Sequence, residues 1–223
     1  ERSTTSHALT LHKPLRVVDV LSHFDPAVQM AVKINGTPSD CVKLALNVLL
    51  KNHEIEIIVS GINRGPNLGT DVIYSGTVSA ATEGVIAGKP AIAVSLASFA
   101  DRHYHTASRF IGNILENPRT YSLSRPVILN INVPPLETSD LSGVRITRLG
   151  LRRYRDIFEE RIDLRGHPYY WQSGIVEDLD HDSEKEIDVI AIKENFISIT
   201  PLHYDLTQHQ MLSELEQLNL TLK

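Results

Sequence analysis

The stretch from Ile55 to Val94 reads IEIIVSGINRGPNLGTDVIYSGTVSAATEGVIAGKPAIAV, and it leaves few folds open. Ile55, Ile57, Ile58 and Val59 form a nearly continuous apolar run bounded by glycine. Such a run is a strand buried on both faces, as in a parallel sheet. A polar loop follows, with Ser60, Gly61, Asn63, Arg64, Gly65, Pro66, Asn67, Gly69, Thr70 and Asp71. After it, Val78, Ala81, Val85 and Ile86 recur at helical spacing, and Gly88-Lys89-Pro90 is a stop signal. Ala91 to Leu96 is a second apolar strand. Strand, loop, helix, strand is the right-handed crossover of an α/β sheet.

Ligands of such sheets sit beyond the carboxyl ends of the strands. Here that place is filled by amides, hydroxyls and glycines. Ser75 or Thr77 caps the helix, and the backbone N–H groups of Gly76 and Thr77 point out of its N-terminus, a site suited to phosphate. No GK[ST] follows the loop and no G-x-G-x-x-G is present, so neither a Walker A motif nor a dinucleotide fingerprint is at hand. The opposing reading of Asn63 and Asn67 is that their side chains merely bond their own loop.

The remaining chain agrees with an α/β domain. Leu15–Val20 and Ala31–Asn35 are strands of a hairpin-like pair. Gly36-Thr37-Pro38-Ser39-Asp40 is a helix start, with Thr37 as cap, Pro38 first in the helix and Asp40 near the positive end of its dipole. A helix is expected over Thr106–Glu116, and strands over Val127–Val133 and Gly143–Leu149. From about Gly150 charges alternate with Tyr154, Phe158, Tyr169, Tyr170 and Trp171, which suits an extended arm that covers its aromatics against another subunit. Asp178, Asp180, Asp182 and Glu184 fail the calcium-loop pattern, since Ser183 and Val189 stand where a glycine and a glutamate belong, and read as a solvated acidic loop. Asp188–Ile192 and Phe196–Leu202 are short apolar segments. Asp205 or Thr207 then caps a last helix to about Leu220, with Asp205 and His209 paired four residues apart on its first turn.

With 27 acidic and 22 basic residues the formal net charge is −5, which argues against nucleic-acid duplexes and anionic membranes as partners. No apolar run approaches the roughly 20 residues that span a bilayer. Cys41 is the single cysteine, so a reducing, cytoplasmic setting is expected.

The motif SGIN-x-GPN-x-G followed by D-x-x-YSGTV-x-A-A-x-EG resembles the survival protein SurE family of metal-dependent 5′/3′-nucleotidases. Arg2-Ser3, Gly36–Val42, Ile128–Pro134 and Ser198–Leu202 fit the same family, collinearly over essentially the whole chain. The resemblance implies a three-layer, Rossmann-like α/β/α fold. It divides the chain into a nucleotidase core at 1–149 and, at 150–223, an oligomerisation hairpin, return strands and a C-terminal helix exchanged between subunits. It also implies a strand and a loop with two adjacent aspartates before Glu1, so that the catalytic carboxylates lie outside this chain.

Carried over by position, Ser3 and Asn63 are metal ligands, and Asn67, Ser75, Gly76 and Thr77 bind phosphate. Asp40 lies in the substrate's vicinity, and Asp205 with His209 serves the interface. The implied cofactor is Mg²⁺ or Mn²⁺, hard cations that suit oxygen ligands. The implied substrate is a nucleoside 5′- or 3′-monophosphate, hydrolysed by metal-activated water within a dimer or tetramer. The competing expectation is a phosphate-binding or assembly module without catalysis, because the aspartate pair is absent.

Overall fold

A computed structural model describes residues 6–100, 103–121, 123–180 and 184–220. A short antiparallel pair, β1 (Val17–Asp19) and β2 (Val32–Ile34), precedes α1 (Pro38–Leu44), which runs on as a π-helical turn over Ala45–Leu49. The crossover unit follows as β3 (Ile58–Arg64), α2 (Gly76–Ile86) and β4 (Ala91–Leu96). Then come α3 (Tyr104–Leu115), β5 (Ile128–Val133) and β6 (Gly143–Ile146). The arm is β7 (Arg152–Ile162) with β8 (Pro168–Asp178), and the chain closes with α4 (Asp188–Lys193), β9 (Phe196–Leu202) and α5 (Leu212–Gln217).

The central sheet has the order β3-β4-β5-β9-β6. Strands β3, β4 and β5 are mutually parallel, β9 runs antiparallel to β5, and β6 is parallel to β9. Alternation along the strands sorts the two faces. Ile92, Val94, Leu129, Ile131 and Val133 pack under α3 with Ala107, Ile111 and Ile114. Ala91, Ala93 and Ile128 pack under α2 with Val78, Ala81 and Val85. The result is the expected three-layer α/β/α arrangement. Ile86, assigned to the same helical face, is instead half exposed.

The α2 face changes character toward the carboxyl ends. Ser95 continues the Ala91/Ala93 row, and Asn130 and Asn132 continue the Ile128 row, all three fully buried. The sheet therefore turns polar where the helix stops covering it.

Three boundaries differ from the sequence reading. β3 starts at Ile58 and runs through Ser60–Arg64, which read as loop. Gly61, at φ +130, permits this, because a β-carbon there would run into the Val94 carbonyl of β4. The register shifts between Ser60 and Asn63, so the polar segment bulges while staying in the sheet. Asp188–Lys193 is a helix whose first carboxylate is buried.

The last helix begins only at Leu212, after a 3₁₀ turn at His209–Met211, and no side chain caps it. Asp205 is spent on a turn instead, accepting from the Thr207 N–H at 2.8 Å and meeting His209 Nε2 at 2.6 Å. Those contacts, Thr207 first and His209 second, hold the Asp205 carboxyl well below the usual range.

Candidate functional site

Helix α2 is buried from Gly76 to Val85, which is unusual for a helix bearing Ser, Thr and Glu. Its polar groups are answered locally. Ser75 is the N-cap: its Oγ accepts from Val78 N–H at 3.1 Å and its carbonyl accepts from Ser79 N–H at 3.0 Å. Thr82 and Ser79 hydroxyls donate to carbonyls one turn back. The Gly76 and Thr77 N–H groups are left over, and among the described residues nothing accepts from them. They form the unpaired positive end of a helix dipole at the expected phosphate position.

An open cleft of ≈ 880 Å³ begins beside this helix end, with Ser75 and Tyr74 in its lining, while Gly76 and Thr77 are not part of that lining. Asn63 and Asn67 also line it. Asn63 stands at the end of β3, where its Nδ2 donates to the carbonyls of Gly65 (2.9 Å) and Arg64 (3.3 Å). That orientation leaves Oδ1 without a hydrogen-bond partner among the described residues. A neutral oxygen of this kind fits a hard cation as one ligand among several.

Asn67 is more deeply built in. Its N–H donates to Asn132 Oδ1 at 2.8 Å, and its carbonyl accepts from Asn130 Nδ2 (2.9 Å) and Asn132 Nδ2 (3.0 Å). Its own Nδ2 donates to Ser95 Oγ at 2.7 Å. The polar ends of β4 and β5 thus clamp the loop on its backbone. Sequence reading missed Asn130, Asn132 and Ser95, although two amides two residues apart in the apolar run VILNINV are a legible signal.

A second anchor is Asp188, with no exposed surface. Its carboxylate accepts from the N–H groups of Gly69, Gly150 and Val189, each at 2.8 Å. Burial pushes its pKa up, against the opposing pull of those three donors. Gly69, at φ +53, sits so close to the Gly150 carbonyl (2.7 Å for an added β-carbon) that no side chain fits. One carboxylate therefore ties the cleft loop, the arm's root and α4 together.

The arm contributes the far wall. Arg152, 14 % exposed, pairs through Nη1 with Asp71 and through Nε with Asp178, both at 2.8 Å, and Lys193 reaches Asp178 at 3.3 Å. Thr70 Oγ1 donates to the Arg152 carbonyl at 2.5 Å. Burial would raise the Asp178 pKa, but hydrogen bonding and charge from Arg152, then Lys193, bring it below the ordinary value. Asp180 accepts from Leu151 N–H at 2.6 Å. The segment read as a solvated acidic loop is therefore partly a clasp on the arm, since Arg152 folds back onto it. Beside Arg152, burial and the Asp71 carboxylate push the Tyr154 phenol up to about 12. The phenol closes no hydrogen bond with Asp71 Oδ1, which is buried without a partner among the described residues.

The other predicted positions are placed as follows. Ser3 lies outside the described residues. Asp40 is buried and closes a capping box with Thr37, accepting from Thr37 N–H at 2.8 Å while Thr37 Oγ1 accepts from Asp40 N–H at 3.1 Å. It also accepts from Thr10 N–H at 3.0 Å, and it is not in the cleft lining. Burial opposes its ionisation, but the Thr10 and Thr37 hydrogen bonds prevail and lower its pKa.

The segment after Ser3 is pinned beside the cradle. Ser6 Oγ donates to the Ile73 carbonyl at 2.7 Å, and His7 Nε2 meets the buried Glu83 of α2 at 2.7 Å, with Lys43 on its other oxygen at 3.1 Å. Asp205 and His209 pair on an exposed turn that is not in the cleft lining. Among the described residues no cluster of three or more His, Cys, Asp or Glu could hold a metal.

The comparisons bear on this geometry. The sequence profile of the family "Survival protein SurE" matches residues 1–156. A "5′-nucleotidase SurE" of Synechococcus elongatus is 49% identical over 223 residues, covering 98% of this chain and 85% of that protein. Another, from Alkaliphilus metalliredigens, is 47% identical over 220 residues, covering 99% of this chain and 85% of that protein. Among solved structures, the SurE protein from Aquifex aeolicus superposes with a TM-score of 0.79 at 32% identity, covering 97% of this chain and 84% of that one. With its cradle at the start of α2 and this likeness along nearly its whole length, the chain belongs to the survival protein SurE family.

Proposed function

We propose that this chain carries the phosphate cradle and substrate cleft of a metal-dependent phosphomonoesterase. Its substrates are nucleoside 5′-monophosphates, and 3′-monophosphates as well, cleaved to nucleoside and phosphate. The observation that carries the reading is the buried N-terminus of α2, whose Gly76 and Thr77 N–H groups have no acceptor among the described residues while Ser75 opens on a cleft. The names of the relatives at 49% and 47% identity support the 5′ activity.

In this reading Ser75, Gly76 and Thr77 receive the phosphoryl oxygens, and the clamped Asn67 fixes the loop at the right distance. Asn63 Oδ1 and Ser3 are oxygen ligands toward Mg²⁺ or Mn²⁺. When bound, such a cation neutralises phosphoryl charge and acidifies a water. The cradle's donors are oriented before substrate arrives, so they stabilise charge without reorganising. Asp40 acts from a distance by fixing α1. Residues 1–149 form the nucleotidase core. Residues 150–223 serve assembly into a dimer or tetramer, which the exposed Phe158, Trp171, Leu206 and Leu218 support. The single Cys41 accords with a reducing cytoplasm.

The test is phosphate release from a panel of nucleoside 5′- and 3′-monophosphates with Mn²⁺ or Mg²⁺, and again with chelator. It is run on this chain and on a form extended at its N-terminus by the aspartate-bearing segment the family resemblance implies. Metal-dependent release by the extended form, lost with chelator, is the expected result. Two folded forms that release no phosphate under any metal would replace this reading with a non-catalytic phosphate-binding module.

A further inference from the structure

The cleft is too large for its phosphate end alone. Clefts of about 300–1,000 Å³ take a whole organic ligand, and this one measures ≈ 880 Å³. A phosphate on Ser75–Thr77 leaves most of it open. Much of the rest is lined by the arm's root, through Tyr154, Asp156, Gln172, Ser173 and Gly174. These residues combine an aromatic face, an amide and a hydroxyl. A heterocycle on a sugar needs that mixture, and inorganic phosphate does not.

Tyr154 is the aromatic of this wall that rests on the arm's second strand. It follows Arg152 by two on β7, so both side chains share one face of the arm. Arg152 is locked by Asp71 and Asp178, and its carbonyl is held by Thr70. The Tyr154 ring lies over Gly174 of β8, where an added β-carbon would touch Cδ1 at 3.4 Å. Phe99 and Tyr74 also line the cleft but are 69% and 63% exposed, against 40% for Tyr154. A surface immobilised before binding loses least entropy when a ligand settles on it.

We propose that the nucleoside of the substrate packs on Tyr154, which makes this residue, on the arm rather than in the α/β core, specificity-determining for the base-bearing half of the ligand. This rests on the nucleotidase reading above for the identity of the ligand. It gives the arm's root a substrate role separate from any role of the arm in assembly.

The experiment compares the protein with Tyr154→Leu and Tyr154→Phe in two assays. Calorimetry measures affinity for AMP and for inorganic phosphate, with metal present. Turnover is measured with AMP and with glycerol 2-phosphate, which has no base. Losing an aromatic stacking surface costs about tenfold in affinity for a base. Tyr154→Leu is expected to weaken AMP binding about tenfold, with inorganic phosphate unchanged and glycerol 2-phosphate turnover within about twofold. In turnover the loss appears in KM rather than kcat, and Tyr154→Phe restores it.

A merely structural role would move both ligands together, so equal losses for AMP and phosphate overturn the proposal, as does an unchanged AMP affinity. Binding is read without turnover, so the two claims fail separately. An inactive protein whose AMP affinity still falls selectively in Tyr154→Leu upholds this inference and refutes the nucleotidase reading.

Discussion

In β5, Ile128, Ile131 and Val133 are at most 1% exposed, while in β7 Ile157 and Phe158 are 45% and 60% exposed. One strand is held by what lies above and below it, the other only by its partner strand and by its root. The cleft runs between these two regimes. Beside its Ser75 end stand the backbone N–H donors of Gly76 and Thr77 on a close-packed scaffold. At its arm end they are side chains whose position depends on an ion-pair junction at Arg152. The difference separates two tasks. In the proposed reading, the end that would receive the phosphate is built on packing, and the end that would receive the nucleoside is built on replaceable side chains.

The largest expected effect tests the packed half. Ile131→Ala removes a fully buried side chain between the sheet and α3, and unfolding in urea should show a loss of about 2–5 kcal/mol. A loss well under that range would mean the sheet can collapse around the void, and the contrast with the arm would weaken. Next comes the junction. Arg152→Ala strands the mostly buried Asp71 carboxylate and leaves Asp178 with Lys193 alone, at a cost of about 1–3 kcal/mol. Trp171, the only tryptophan, sits on β8 and should gain mobility in fluorescence anisotropy.

Ser75→Ala removes the α2 cap and should cost about 1 kcal/mol, read as a fall of roughly 2–4 °C in Tm. At the small end, Phe158→Ala should change the stability of the chain by no more than about 0.5 kcal/mol. A loss like that of Ile131→Ala would show the arm to be packed after all.

Acid sharpens the same contrast. Asp178 and Asp40 have pKa values held below the ordinary 3.8, so the stability they contribute is complete above about pH 4 and drains away as pH falls below it. Asp188 is raised, so its contribution is complete below 3.8 and is lost as pH rises through its folded value. Acidification therefore releases the arm's root at Arg152–Asp178 while leaving the Asp188 anchor favoured. Trp171 fluorescence should change at a higher pH than the far-ultraviolet dichroism of the core. Coincident transitions would refute the separation.

The crossover unit, the capping box at Thr37–Asp40 and the cap at Ser75 were legible because each rests on residues close in sequence. Hydrophobic period and cap chemistry are local facts. The clamp on Asn67 was not, because Asn130 and Asn132 reach it only once β5 pairs with β4 in register. The role of Asp178 was hidden by its neighbours. Among Asp180, Asp182 and Glu184 it looks solvated, and the return of Arg152 across the hairpin, with Lys193 of α4, makes it a partner. The cleft wall at Tyr154 was read as subunit-facing for the same reason: an aromatic between charges does not say which surface it will meet.

The order of the central sheet has a consequence for synthesis. β9 lies between β5 and β6, yet it is made after both and after the whole arm. While the ribosome works through that interval, β3, β4 and β5 can pair, but the outer edge of β5 has no neighbour. The nascent chain therefore carries an apolar strand with an open ladder of hydrogen-bonding groups, the kind of edge that recruits other chains. Its protection comes only when Phe196–Leu202 leaves the exit tunnel and slides in antiparallel. A stall or truncation before that point would leave an aggregation-prone sheet.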